Sequence, residues 1–319
     1  MLCGFTFFIY YNIDIQPYTD LEQYQSKYYY YNNLSLSKII YLEHKDVTYH
    51  ILARIISSFG LSFSFFLGIM AAICVLMLAL ALRWVYSKDF VMVLCLFFLS
   101  PFFLAGFSNV VRQGISMSIL VVAICASYRY KSKIGIIFLF VLSSLFHIVS
   151  LMYLAFYFMI KSNISTERKL ISVWLTIAFL QFLGLGSYFT NYITPFLADG
   201  DRLGSYVNTF NHSYVTGFRF DFFLFSLSIY LFIRFFNRNN FTSLFSKYYI
   251  MNCIVYQLLC FIPFSDRILL FSWFMVPFAL FIDGDTFQRI NERFMYIVSF
   301  STLGFIFLYN INKLQFTIL

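Results

Sequence analysis

Charge is scarce in this chain: of 319 residues only 11% are Asp, Glu, Lys or Arg, while 61% are apolar. A water-soluble domain of this size does not devote three fifths of its residues to apolar types, so that class is excluded. Paired cysteines are lacking as well. The six (Cys3, Cys74, Cys95, Cys125, Cys253 and Cys260) nearly all fall in apolar segments, with no C-x-x-C and no histidine cluster beside them. They read as small buried residues and not as disulfide or metal partners. Met1–Tyr11 has neither a basic flank nor a small-residue cleavage site, so it reads as a short first span instead of a cleavable signal. No P-loop, serine nucleophile elbow, H-E-x-x-H or dinucleotide fingerprint occurs.

What the chain has is long apolar windows, among them Leu61–Leu82, Phe90–Gly106 and Trp174–Leu185 with its neighbours. Backbone polar groups must be satisfied internally in lipid, and these windows lack the strict alternation of a barrel, so they are helices. The fold class is an all-α polytopic integral membrane protein. A net charge of +8 and pI near 9.1 would suggest nucleic acid only if the basic residues clustered on a soluble face. They are scattered through short loops, as orientation by positive charge on the inside requires, so the bilayer is the partner and nucleic acid is not.

With the amino terminus inside, residues 14–58 face outward, Leu61–Arg83 returns, Phe90–Gly106 goes out and Ile115–Tyr128 comes back. Arg83, Lys88, Arg129, Lys131 and Lys133 then lie inside. Ile134–Ile160 reads either as one span or as two short helices meeting near His147. The short-helix hairpin, re-entrant or tilted, keeps most lysines and arginines inside and is preferred. Further spans are expected at about 170–187, 220–236, 248–264, 268–283 and 294–311, giving about eleven helical segments in a single transmembrane domain, 1–319. Two outward segments exceed ordinary loops. In 14–58, Val47, Ile51, Ile55, Ile56 and Phe59 share one helical face and His50, Arg54 and Ser57 another, which predicts an amphipathic helix over 47–59 on the membrane surface. Residues 187–219 are dense in aromatic, Asn, Ser and Thr residues, which suits either sugar rings or an interfacial aromatic belt.

Under this orientation Arg112, His147, Arg202, Arg219 and Arg267 fall at or near the outer side. Asn109, Arg112, Gln113 and Ser116 follow i, i+3, i+4, i+7 spacing, so one face is polar where a helix enters the bilayer. Arg112 reads as a snorkelling cation with capping neighbours or as an anion ligand, because guanidinium offers forked donors to phosphate oxygens. Arg267 follows Pro263 at the start of a span, where Asp266 could neutralise it. His147 sits in an apolar run and reads as a hydrogen-bonded core residue or as a base; Glu43 and Asp20 are competing outward carboxylates. Asp199-Gly-Asp201 and Asp283-Gly-Asp285 match the Asp-x-Asp metal pattern of nucleotide-sugar transferases but read better as glycine turns.

The segments "TDLEQY", "YLEHKDVTYHILARIISSFGLS", "NVVRQGISMSILVVAI", "SSLFHIVSLMYL" and "DRILLFSWFMVP" stand in the order seen in EpsG-type proteins. The chain thus resembles, over roughly 14–282, the bacterial polysaccharide polymerases that include many Wzy O-antigen polymerases. Its strongest element is N-x-x-R-Q-G followed by F-H-x-x-S. Lys45 and Asp46 stand where relatives often carry a Pro-Gly or similar turn, a departure expected to bear little on activity. The resemblance implies a GT-C-type glycosyltransferase working without metal or cofactor at the periplasmic face of the inner membrane. Its substrates would be undecaprenyl-pyrophosphate-linked oligosaccharides, and a chain-length regulator of the same pathway would be a partner. With that chemistry, Arg112 (with Gln113) and Arg267 would meet the pyrophosphate, Arg202 or Arg219 would add a loop-borne contact, and His147, or else Glu43, would be the base. A lipid-oligosaccharide flippase and a membrane O-acetyltransferase are the rival classes.

Overall fold

The computed structural model describes residues 2–13, 15, 20–43, 46–87, 89–108, 110–162, 165–186, 216–236, 240–262 and 265–280. Among them every regular element is helical, fifteen α-helices and one 3-10 turn. They fall into two compact units, one within Met1–Ala155 and one within Phe156–Thr286.

The first unit opens with α1 (Leu2–Tyr11), α2 (Asp20–Tyr31), α3 (Leu36–Leu42) and α4 (Val47–Ser57). In α2 the tyrosines 24, 28 and 31 follow Leu21 at helical spacing and are buried, while Tyr29 and Tyr30 are exposed. In α4 the residues turned inward are Tyr49, His50, Ala53 and Ser57; Ile55 faces out, as does Phe59 just beyond the helix. A polar face packed inside and an apolar face left open is the inverse of a water-soluble helix, and it suits a helix bathed in lipid.

The long α5 (Phe63–Tyr86) starts where Ser62 Oγ accepts the Phe65 N–H at 3.2 Å. Its 24 residues extend about 36 Å, enough to cross the hydrocarbon layer. Ile73, Leu76 and Leu80 form an exposed apolar stripe on it, opposite a packed face of Ala71, Cys74, Val75 and Leu78. A helix apolar all round has no face for water. The expected single span over Phe90–Gly106 is instead two helices, α6 (Phe90–Leu99) and α7 (Pro101–Ser108), with Ser100 extended between them. Pro101 is the cause: its ring disfavours helical backbone in the residue before it.

Next come α8 (Val111–Arg129) and α9 (Lys133–Phe146). The former is long and apolar enough to cross a membrane and is buried on nearly every side, by α5, α7 and α9. Its approach to α7 depends on glycine: a Cβ on Gly114 would lie 2.2 Å from the Gly106 carbonyl oxygen. Helix α9 ends at His147, whose backbone is extended (φ −156°, ψ 112°), and a 3-10 turn (Ile148–Leu151) leads into α10 (Met152–Lys161).

The second unit contains α11 (Glu167–Phe182), α12 (Phe220–Phe236), α13 (Asn240–Leu259), α14 (Asp266–Phe274) and α15 (Val276–Leu280). Helix α13 starts eight residues before the 248 expected for it, and lies between α11 and α14. Trp174 is fully buried against Phe223 and Tyr230, whose hydroxyl donates to Glu167 Oε1 at 3.1 Å. Asn252 Nδ2 donates to the Ile268 carbonyl at 2.8 Å and to Ser272 Oγ at 2.6 Å, tying α13 to α14.

Candidate functional site

Because α8 begins at Val111, Arg112 lies in its first turn, where the stem can turn back over the preceding elements. Its Nη1 donates to Asp46 Oδ2 at 2.7 Å and its Nε to the Tyr24 hydroxyl at 3.2 Å. The guanidinium carbon stands 5.1 Å from the Tyr24 ring centroid, within cation–π range. Its Nη2 makes no hydrogen bond among the described residues. Arg112 is thus held by Asp46 and Tyr24. It is one half of a largely buried ion pair.

The other half is Asp46, at the turn whose departure from relatives is expected to bear little on activity. Asp46 precedes α4 in the left-handed region (φ 56°, ψ 34°), a conformation that aspartate tolerates better than most residues. That conformation turns its side chain inward, where it is 6% exposed. Oδ1 accepts the Ile148 N–H at 3.2 Å, and Oδ2 lies 3.7 Å from His147 Nδ1. Burial raises the Asp46 carboxyl; the His147 ring, the Arg112 guanidinium and the Ile148 N–H together outweigh it and hold the group below the ordinary carboxylate range.

His147 is presented by the break that follows α9, and buried serines clamp that break onto α8. Ser116 Oγ donates to the Ser143 carbonyl at 3.0 Å, Ser143 Oγ is 2.9 Å from Ser150 Oγ, and Ser150 Oγ reaches the His147 carbonyl at 3.0 Å. The polar spacing that runs from Arg112 to Ser116 thus serves two ends: Arg112 reaches the ion pair and Ser116 secures the histidine loop. Gln113 is buried in α8. Asn109 lies outside the described residues.

Glu43 belongs to a neighbouring cluster in the same unit. Lys27 Nζ is 2.5 Å from Glu43 Oε1, and the Tyr31 hydroxyl donates to that oxygen at 2.7 Å. The Tyr31 oxygen is 2.8 Å from His50 Nδ1, and His50 Nε2 is 3.5 Å from Glu43 Oε2. Burial acts to raise the Glu43 carboxyl, but Lys27, Tyr31 and His50 hold it below its ordinary value, which makes it a poor proton acceptor. Burial pushes the His50 imidazole down to about 4 despite the nearby Glu43, so it is neutral at physiological pH.

In the second unit Arg219 is bound through Nε and Nη2 to both carboxylate oxygens of Asp221, at 2.9 and 2.5 Å, and lies 3.9 Å from the Phe222 ring centroid. It lines a small cleft with Gly217, Phe222, Tyr256, Cys260, Ser265 and Asp266, which brings the starts of α12 and α14 to one place. Arg267 follows Asp266 in α14 and is half-buried. Arg202, most of the 187–219 segment and both Asp-x-Asp turns lie outside the described residues.

Sequence reasoning names Arg112 and His147 and passes over Asp46, which lies against both, and Tyr24, which contacts Arg112. The signal for Tyr24 was the helical spacing of tyrosines in "DLEQYQSKYYYY". No local signal existed for Asp46, because its partners are 66 and 102 positions away. No curated protein and no solved structure matches the chain. A family model described as the EpsG family matches residues 1–318, and the chain belongs to that family.

Proposed function

We propose that the protein extends a polysaccharide by moving the growing glycan from undecaprenyl pyrophosphate onto the terminal sugar of a lipid-linked repeat unit. The reaction takes place at the periplasmic face of the inner membrane, on a GT-C-type scaffold, and yields an O-antigen-class polymer. Family membership carries the coarser part, a glycosyltransferase-like polysaccharide polymerase in a membrane. The observation that favours the finer part is the cluster in which one carboxylate, Asp46, faces both the Arg112 guanidinium and the His147 imidazole.

Nδ1 of His147 lies 3.7 Å from Asp46 Oδ2, and Nε2 is assigned the proton of the acceptor sugar. The acceptor O–H bond breaks and its proton goes to Nε2, while the oxygen forms a bond to the donor's anomeric carbon from the side opposite the leaving group. The bond from that carbon to the pyrophosphate oxygen breaks, and its electron pair leaves with the pyrophosphate. Attack from the opposite face inverts the configuration at that carbon. Arg112, with Gln113 beside it, offers N–H donors to the developing charge, which substitutes for a metal ion. His147 is the better base of the two proposed, because Glu43 is already bound by Lys27 and Tyr31. The resemblance to the family also assigns anion-binding roles to Arg202 and Arg267. Arg219, whose charge is matched by Asp221, has the weaker claim.

The test is the surface glycan of a deletion strain complemented with His147→Ala or Arg112→Ala at normal protein level. Lipid A-core capped by a single repeat unit is the expected product. A ladder of wild-type length would overturn the role of the altered residue. Uncapped core in the deletion strain would identify a flippase, and a normal ladder lacking acetyl groups an acetyltransferase.

A further inference from the structure

We infer that Asp46 is a positioning residue that couples arrival of the pyrophosphate at Arg112 to proton transfer at His147. The inference rests on the roles proposed above for those two residues. A single carboxylate oxygen, Oδ2, is 2.7 Å from Arg112 Nη1 and 3.7 Å from His147 Nδ1. The other oxygen is fixed by the Ile148 N–H, which sets the rotation of the group and keeps Oδ2 turned toward both. One carboxylate balances one positive charge. The nearer positive charge is Arg112, at 2.7 Å, and the two form a neutral pair.

An anion bound at Arg112 changes the balance. Nη2 makes no hydrogen bond among the described residues, so the guanidinium can hold a phosphate oxygen without first leaving Asp46. Once it does, the cluster of Arg112, Asp46 and bound anion carries excess negative charge beside the His147 ring. The proton released by the acceptor hydroxyl is then compensated where it lands, on an imidazole whose Nδ1 faces Asp46. Proton abstraction is favoured when the leaving group is in place and disfavoured when it is absent.

This arrangement predicts opposite shifts of two kinetic constants in Asp46→Asn. Asparagine accepts the left-handed backbone as readily as aspartate, and Asp46 makes no side-chain cap to α4, so the substitution removes charge with little strain. Freed of its counter-ion, Arg112 binds the pyrophosphate more tightly, and KM for the donor falls, by about threefold or more. Without the Asp46 carboxylate, the positive charge that develops on His147 during proton transfer is left uncompensated, and kcat falls by about 10- to 100-fold. A residue that only holds the fold together would raise KM or leave both constants alone.

The experiment measures kcat and KM of the full chain in liposomes, with undecaprenyl-pyrophosphate-linked repeat units as substrate. Wild type, Asp46→Asn, Asp46→Gly and His147→Gln are compared. Glycine also accepts φ 56°, so Asp46→Gly must show the same paired fall if Asp46→Asn does not accumulate. Wild-type kcat in a folded Asp46 variant, or a fall in kcat with KM unchanged or raised, overturns the coupling. Full activity in His147→Gln would overturn the assignment of the base instead, which keeps the two failures apart.

Discussion

Mild acid should loosen the first unit through one side chain, His50. The imidazole is 1% exposed, has Nδ1 against the Tyr31 hydroxyl at 2.8 Å, and stays neutral in the folded chain down to about pH 4. In the unfolded chain it takes a proton near its ordinary value of 6.5. Between those limits the unfolded state binds the extra proton, so stability is full above pH 6.5 and declines as pH falls. A depression of about 2.5 units corresponds to roughly 3 kcal/mol, at no more than about 1.4 kcal/mol per pH unit. Glu43 and Asp46, both held below their ordinary values of 4.5 and 3.8, add to the loss only nearer those lower values, so of these three groups His50 acts in the window from pH 6.5 to 5.

The assay is thermal unfolding in detergent followed by a thiol-reactive fluorophore, since Cys74, Cys125, Cys253 and Cys260 are buried free thiols that unfolding exposes. The midpoint should drop by several degrees between pH 6.5 and 5, and His50→Gln should flatten that slope whatever it does to the baseline. An equally steep slope in His50→Gln would refute the assignment.

Three further outcomes follow from the packing of the same unit. Gly114→Ala gains about 1 kcal/mol of helix propensity but drives a methyl to 2.2 Å from the Gly106 carbonyl oxygen. Helix α7 must retreat, so a net loss of about 1–3 kcal/mol is expected in the same thermal assay, and a raised midpoint would contradict it. Ser143→Ala removes the hydroxyl that joins α8 to the loop of His147, costing about 1–2 kcal/mol, with glycan chain length falling alongside. Arg112→Gln strands the Asp46 carboxylate and should cost about 3–5 kcal/mol; Arg112→Gln with Asp46→Asn should recover most of that loss, and strict additivity would show that the pair is not coupled.

The helical, membrane-embedded class was legible in the chain, because runs such as Leu61–Leu82 leave water no face to touch. Arg112 and His147 were legible for a related reason: a polar group in an apolar setting is costly and draws notice. The break between α6 and α7 could also have been read, since Pro101 sits in the middle of the apolar window. Asp46 could not. Beside Lys45, in a charged stretch, it has the signature of a solvated loop, and only the folded chain brings Arg112 and Ile148 to it. The buried face of α4 shows the same limit: an amphipathic pattern gives two faces, and tertiary packing decides that His50 points to Tyr31 and Glu43. Pairings over long sequence separations leave no local trace in composition or period.

Single-turnover transfer by His147→Gln in liposomes, with donor bound and acceptor in excess, addresses the central claim most directly. If His147 removes the acceptor proton, donor binding is retained while glycan transfer slows by about 100-fold or more. Transfer at the wild-type rate, with the protein folded and donor bound, would contradict it.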